Sequence, residues 1–397
     1  MGWDFLSRGG GTVRYLQVVV TSSPPSRSRA LGPLAPPVPV DAVVFGEALV
    51  DFFPDVQEVG RPLEEVSHFR RFLGGAPANF AVGLARQGVP TALITQVGGD
   101  AFGRFVQQAL TEEGVACDGL LTHASARTGV TFVSLHSGGG GRSFLFYRHP
   151  SADMLIAPGQ VDEKSAFVRR GRLFHFGSST LSREPSRAAT LRALEIACGK
   201  GPERGQRIVS CDLNLRPHLW PEIKDAPPLL RKLLADCDIV KLVPEELPLL
   251  YGTENVEEAA AKARKAGTTV VAVTLGESGC YLDSPAGQAY FAAEPILPPA
   301  RAIDPTGAGD AFSAGLVASL LLDVMVRDPE DPAASDDLRR RLQSLSTAQV
   351  KQAASHASHL GAMACTALGA TTAVPKAAPK PASPRPAATA VGKSARR

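Results

Sequence analysis

Apolar positions in the middle of the chain follow two alternating rhythms. Short, nearly continuous apolar runs at 42–46, 91–97, 173–177, 207–211, 238–243 and 269–274 predict buried strands. Helical periodicity predicts helices over 77–87, 103–113, 185–198, 229–235, 255–266, 309–325 and 347–368. Strand followed by helix, repeated, predicts an α/β fold: a mostly parallel sheet flanked by helices on both faces. The region 125–150 breaks the rhythm. Thr131–Leu135, then four glycines, then Ser143–Tyr147 reads as a hairpin. With Leu49–Phe53 it predicts a small β-sheet lid. Residues 327–346 read as a polar insertion between the last two helices.

Both ends differ from the middle. Residues 1–40 are rich in Gly, Ser, Pro and Arg and predict a disordered extension. From Thr371 onward Ala, Pro and Lys dominate, predicting a solvated tail over 371–397. The net charge of +3 hides +3 in residues 1–40, +6 in 371–397 and −6 between them. A net-negative middle argues against a core that binds nucleic acid specifically. No run of eighteen apolar residues predicts a membrane span. The six cysteines show no Cys-x-x-Cys and no zinc spacing, so reduced core thiols and a cytoplasmic location are expected. His356 and His359 share a helix face without further ligands and read as structural. Gly392-Lys393-Ser394 echoes the end of a phosphate-binding loop, but no strand precedes it, and it is rejected.

The strongest chemical signal is Asp304-Pro-Thr-Gly-Ala-Gly-Asp310, opening a long apolar helix. Gly307, Ala308 and Gly309 let a ligand approach the backbone, and the first helical turn offers unpaired N–H groups. Such a turn suits a transferring phosphoryl group. Asp310 would repel phosphate unless it acts on the nucleophile, so it is assigned to take the proton of an attacking hydroxyl. The helix dipole is expected to keep it ionised and weakly basic. The plainer alternative is a capping acid after a glycine turn.

A second signal is Gly74-Gly75-Ala76-Pro77-Ala78-Asn79 at a helix start, with an amide suited to polyol hydroxyls. Gly-Gly turns of this kind are common without any ligand. Asp51 is read as a carboxylate at the end of the first strand, placed for sugar hydroxyls or else a turn acid. Asn214 and Arg216 follow another strand, where Arg216 either steadies phosphate charge or forms a surface ion pair. Thr274, Gly276 and Gly279 follow a valine-rich strand, where backbone can lie against a nucleotide. All these motifs fall near carboxyl ends of strands, where open α/β sheets bind ligands.

Both signatures resemble those of the pfkB/ribokinase family of carbohydrate kinases, over about residues 41–370. Gly46-Glu47…Asp51-Phe52, Val97–Gly103, Phe146–Met154 and Asn214–Trp220 are most similar to the bacterial and plant fructokinases of that family. The resemblance implies a ribokinase-like sheet with a lid, and ATP with Mg²⁺, and K⁺ as a further cation. It implies Asp310 as catalytic base and Gly307, Ala308 and Gly309 as the anion hole. Asp51, Gly74, Gly75, Asn79 and Arg148 would bind sugar. Asn214, Arg216, Thr274, Gly276 and Gly279 would serve ATP. Glu246 would orient water around Mg²⁺, and Asp304 and Thr306 would bind the monovalent cation. A homodimer, each lid covered by its partner's, is also implied.

Two positions depart from the family pattern. Val243 stands where Asn or Ser is usual, removing a polar contact near the metal. Ser358 replaces an Asn often near the adenine. The expected activity is transfer from ATP to a primary hydroxyl, D-fructose giving fructose 6-phosphate. The alternatives are ribose, 2-keto-3-deoxygluconate or a nucleoside as acceptor, or a non-catalytic fructokinase-like regulatory protein.

Overall fold

The computed structural model describes residues 40–135, 142–148, 150–199, 206–296, 300–325 and 338–377. The expected extension before residue 40, the glycine turn of the hairpin, the start of the polar insertion and the tail beyond 377 lie outside the described residues. In chain order the strands are β1 (Ala42–Phe45), β2 (Leu49–Pro54), β3 (Phe69–Gly74), β4 (Thr91–Gly98), β5 (Leu120–His123), β6 (Val130–Leu135) and β7 (Arg142–Tyr147). There follow β8 (Leu173–Gly177), β9 (Ile208–Asp212), β10 (Ile239–Leu242), β11 (Val270–Thr274), β12 (Cys280–Ser284) and β13 (Gly287–Phe291). The helices are α1 (Ala76–Arg86), α2 (Ala101–Glu112), α3 (Pro158–Glu163), α4 (Ser165–Arg170), α5 (Ser186–Cys198) and α6 (Ala226–Leu234). Five more complete the set: α7 (Leu247–Tyr251), α8 (Val256–Ala266), α9 (Ala308–Met325), α10 (Leu338–Gln343) and α11 (Thr347–Ala364).

Nine strands form the main sheet in the order β13-β12-β11-β10-β9-β8-β1-β4-β5. It is parallel from β11 to β5, and β12 and β13 add an antiparallel edge. The continuous apolar runs follow from burial on both faces. Ala42 and Val44 enter a core with α1, α2, α9 and α11, while Val43 and Phe45 enter the opposite core with α5, α6 and α8. The chain winds outward from β1 through β4 on one side and from β8 on the other. That reversal opens a crevice at the carboxyl ends of the central strands.

The lid is a separate sheet in the order β3-β2-β6-β7. The hairpin expected over 131–147 is present as the β6–β7 pair. β3 was not expected, because the adjacent Arg70 and Arg71 break the two-residue alternation. It forms by pairing along all of β2, from Leu49↔Gly74 to Pro54↔Phe69. Asp51 lies within β2, inside the Leu49–Phe53 segment expected to join the lid, and not at the end of β1.

Two boundaries also move. The second half of the polar insertion holds α10, which buries Leu338 and Leu342 one turn apart. Residues 371–377, assigned by composition to the tail, pack along the end of α1. Arg86 donates to the carbonyls of Thr371 and Val374, Gln87 donates to Pro375 O at 2.8 Å, and Ala377 N–H donates to Arg86 O at 2.8 Å. Low-complexity composition does not report these contacts, because the bonded groups are backbone carbonyls that any residue supplies.

Candidate active site

A cavity of about 810 Å³ lies between the lid and the carboxyl ends of β1, β9, β10 and β11. Of the expected residues, Asp51, Gly75, Asn79, Arg148, Asn214, Arg216, Glu246, Thr274, Gly276 and Thr306–Asp310 line it. Four do so as one continuous turn, Gly307 to Asp310. Gly307 has φ +79°, which favours glycine, and a Cβ there would lie 2.5 Å from the backbone of Ala370. Helix α9 starts at Ala308; Ala308 N–H donates to Pro305 O and Ala311 N–H to Gly307 O, which leaves the N–H groups of Gly309 and Asp310, two cavity-lining residues, at the helix start.

The other end of the cavity forms where the lid meets α1. Gly75 caps α1 at φ +95°, and a Cβ there would lie 2.6 Å from Glu47 O. Gly74 does not line the cavity. It acts through its neighbour, since a Cβ there would lie 2.2 Å from Asp51 Cγ. Asn79, on the first turn of α1, donates from Nδ2 to Asp310 Oδ2 at 2.8 Å, joining the two signature motifs. Arg148 follows β7, is buried and pairs with Asp153.

Several buried carboxylates crowd this space. Burial pushes Asp51 up to about 7; Asp310 adds to this, while the Thr131 hydroxyl and Arg148 oppose it. Burial, then the charge of Asp212, pushes Asp310 up to about 6, against the Asn79 bond, Lys241 and Arg216. The expectation of a weakly basic Asp310 is therefore corrected: desolvation outweighs the helix dipole. At pH 7 it is mostly ionised and a competent proton acceptor.

The remaining expected residues take varied places. Asn214 has φ +43°, a left-handed backbone at the end of β9. Gly276 has φ +59° and open space where a Cβ would stand, whereas Gly279 is buried, lies against Phe291 O and does not line the cavity. Glu246 accepts from Leu215 N at 2.8 Å and Val243 N at 2.9 Å, so Val243 contributes through its backbone. Each Glu246 oxygen keeps a second lone pair for a water near a divalent cation. Burial raises its pKa to about 7, and a nearby cation would favour its ionised form. Asp304 is fully buried and accepts from Thr306 N and Gly369 N, tying the turn to the chain after α11. The Thr306 hydroxyl is an orphan beside it, so oxygen donors suited to a hard cation are present. Ser358 is buried on α11 and does not line the cavity.

Two basic residues were missed. Lys241 projects from β10 into the cavity, and its ammonium lies 2.9 Å from where a Cβ at Gly309 would stand. The signal was a charge inside an otherwise apolar buried strand, Ile-Val-Lys-Leu. Arg142, first residue of β7, also lines the cavity, and Arg142 and Arg216 both lie against Phe144, at 5.5 and 5.9 Å. Burial lowers the pKa of Arg142, and the charge of Arg216 adds to this, while Asp304 and Asp310 oppose it. No local motif marks Arg142; the hairpin register places it.

The buried side-chain polar atoms without hydrogen-bond partners among the described residues include Asn79 Oδ1, Thr131 Oγ1, Arg148 Nε, Arg142 Nη1 and Thr306 Oγ1, and these five belong to residues lining this cavity. Buried polar atoms are normally satisfied. An acceptor and a donor at one end, and cationic donors beside a helix start at the other, fit a ligand that carries hydroxyls and phosphate.

The fold and site therefore define a phosphoryl-transfer enzyme acting on a polyol. The chain belongs to the pfkB family of carbohydrate kinases, whose model matches residues 40–377. It is 35% identical to fructokinase-1 of Oryza sativa subsp. japonica over 334 residues, 84% of this chain and 94% of the relative. A double-mutant fructokinase of Vibrio cholerae O395, in its fructose, ADP and potassium-bound form, superposes with a TM-score of 0.67 at 32% identity, covering 85% of this chain and 96% of that one. The fructokinase of Xylella fastidiosa with bound ATP superposes with a TM-score of 0.69 at 29% identity, covering 84% and 95%. The chain is a carbohydrate kinase with the ribokinase-like α/β architecture that the sequence resemblance implied.

Proposed function

We propose that this kinase phosphorylates D-fructose at its primary hydroxyl, giving fructose 6-phosphate and ADP. The observation that carries the reading is the Asn79–Asp310 hydrogen bond, which sets a hydroxyl-binding amide beside a basic carboxylate at a helix start. Asp51, Asn79 and Arg148 hold the sugar. Asp310 accepts the proton of the attacking hydroxyl. The first-turn N–H groups of α9, with Lys241, Arg142 and Arg216, meet the phosphate charge that develops in the loose transition state. Asn214, Thr274 and Gly276 face the nucleotide. Glu246 would hold a water near Mg²⁺, and Asp304 and Thr306 would hold a potassium ion; Mg²⁺, when bound, would offset phosphate charge. The lid over the cavity excludes water from the transfer. The fructokinase relatives support fructose over other acceptors. Exposed Leu145 and Tyr147 on the lid's edge strand support a homodimer, and reduced buried cysteines support a cytoplasmic setting.

The test is ADP release across fructose, ribose, 2-keto-3-deoxygluconate and nucleosides, with and without Mg²⁺ and K⁺. Fructose is expected to give the highest kcat/KM, and a higher value for another acceptor would replace fructose. Asp310→Asn should lower kcat by about 10²–10⁴-fold with the fructose KM within about threefold. In wild type, kcat should rise as pH increases through about 6. A near-wild-type kcat for Asp310→Asn would remove Asp310 from the role of base.

A further inference from the structure

The sheet face under α9 carries a buried charge pair to which the proposed reaction gives only half a role. Asp212, last residue of β9, stands opposite Lys241 in the parallel register with β10. Lys241 Nζ donates to Asp212 Oδ1 at 3.2 Å, and Ser313 Oγ of α9 donates to Asp212 Oδ2 at 2.8 Å. Asp212 and Lys241 are 4% and 6% exposed, too little for solvent to screen their interaction. Lys241 lines the main cavity. Asp212 does not; it borders a void of about 10 Å³ behind it, with Glu47, Phe80 and His175.

A buried ion pair is a poor device for stability alone, because desolvation consumes most of its attraction. Here, however, the geometry has a direction. One Asp212 oxygen holds the ammonium and the other is keyed to the helix whose first turn forms the anion hole. We propose that Asp212 is a positioning residue for phosphoryl transfer: through Lys241 and Ser313 it fixes the ammonium beneath the Gly307–Asp310 turn. The proposal rests on the kinase reading above.

Without Asp212, the flexible Lys241 side chain would have other buried anions within its field. Its pKa is lowered by burial but raised overall, first by Asp212 and then by Glu246 and Asp310. An untethered ammonium that moved onto Asp310 would neutralise the base and leave the phosphoryl site. The charged and polar groups facing Asp310 are Asp212 and Lys241 from the sheet, Arg216 from the loop after β9, Asn79 from α1, and Asp51 and Arg142 from the lid. Of these, Asp212 contributes the largest repulsion, so its removal should also make Asp310 more acidic.

The test compares wild type with Asp212→Asn, which keeps the shape and removes the charge, alone and combined with Lys241→Met. Each protein is checked by circular dichroism and thermal melting. Wild type must first transfer phosphate to a sugar; if it does not, the kinase reading fails rather than this one. In an active enzyme, Asp212→Asn should lower kcat at least about tenfold, with the sugar KM within about threefold. The acidic limb of its kcat profile should move to lower pH by about half a unit or more. In the Lys241→Met background the same substitution should have little further effect on kcat. Wild-type kcat with an unmoved acidic limb, or losses that simply multiply in the double variant, would overturn the proposal. Should Asp212→Asn fail to fold, Ser313→Ala serves instead: it should lower kcat severalfold at unchanged sugar KM, and a wild-type kcat would overturn it.

Discussion

Replacing Asp51 by Asn separates what this carboxylate does for the fold from its proposed role toward a sugar. Asp51 is 7% exposed on β2, and its pKa is raised from 3.8 to about 7, first by burial. The sign of the pH effect follows from linkage. Below the unfolded pKa both states hold the proton and nothing is lost. As pH rises from about 4 to 7, the unfolded chain releases its proton while the folded chain retains it, so folding becomes steadily less favourable. Above about 7 the folded state carries a buried charge and the full penalty is reached. At about 1.4 kcal/mol per unit, the three-unit shift amounts to at most about 4 kcal/mol at pH 8 and about a third of that at pH 5. Asn cannot ionise, so Asp51→Asn should be more stable than wild type, with the gain growing from pH 5 to pH 8. Urea unfolding at the two pH values measures it, and kinase assays on the same samples should show the sugar KM raised or activity lost. Equal urea midpoints at pH 8 would refute the burial argument. A wild-type sugar KM would refute the binding role.

Two further substitutions test the supports of the site. In Gly74→Ala the new Cβ would stand 2.2–2.4 Å from all three atoms of the Asp51 carboxylate and must displace it; the sugar KM should rise by about tenfold or more with the ATP KM nearly unchanged, and equal effects on both would mean that the lid as a whole has shifted. Arg86→Ala removes the donors to Thr371 and Val374 carbonyls and the two-bond pairing with Glu113 at 2.7 and 2.9 Å; about 2–4 kcal/mol of stability should be lost, read from urea midpoints, whereas a loss under about 0.5 kcal/mol would show that residues 371–377 are not held through this contact.

The parts of this protein that sequence revealed share a property: each is continuous in the chain. The Gly307–Asp310 turn is four consecutive residues followed by an apolar helix, so its anion-binding geometry is legible without a fold. The parallel strands are legible for the same reason, as runs such as Val-Val-Ala-Val that only a doubly covered sheet requires. What stayed hidden depends on pairing. β3 exists because β2 supplies a partner along its whole length, and Arg142 enters the cavity because the hairpin register sets it opposite Leu135. The raised pKa of Asp310 was also out of reach: it arises first from the walls that bury it and then from Asp212, ninety-eight positions earlier.

The distribution of charge explains why these scattered contributions belong to one site. Asp51, Asp310 and Glu246 each hold a raised pKa, so their ionisation is disfavoured in the protein alone. Arg142, Arg216 and Lys241 crowd the helix start, where two guanidinium groups share one aromatic ring and repel each other. A fold selected for stability alone would keep neither group, because each opposes burial. Both become favourable when ligands fill the cavity, with hydroxyl protons meeting Asp51 and Asp310, water meeting Glu246, and negative oxygens meeting the cations. A neutral sugar beside a polyphosphate has that polarity. A ligand of uniform charge would relieve one end and aggravate the other, which is the physical ground for proposing two unlike substrates that meet at Asp310.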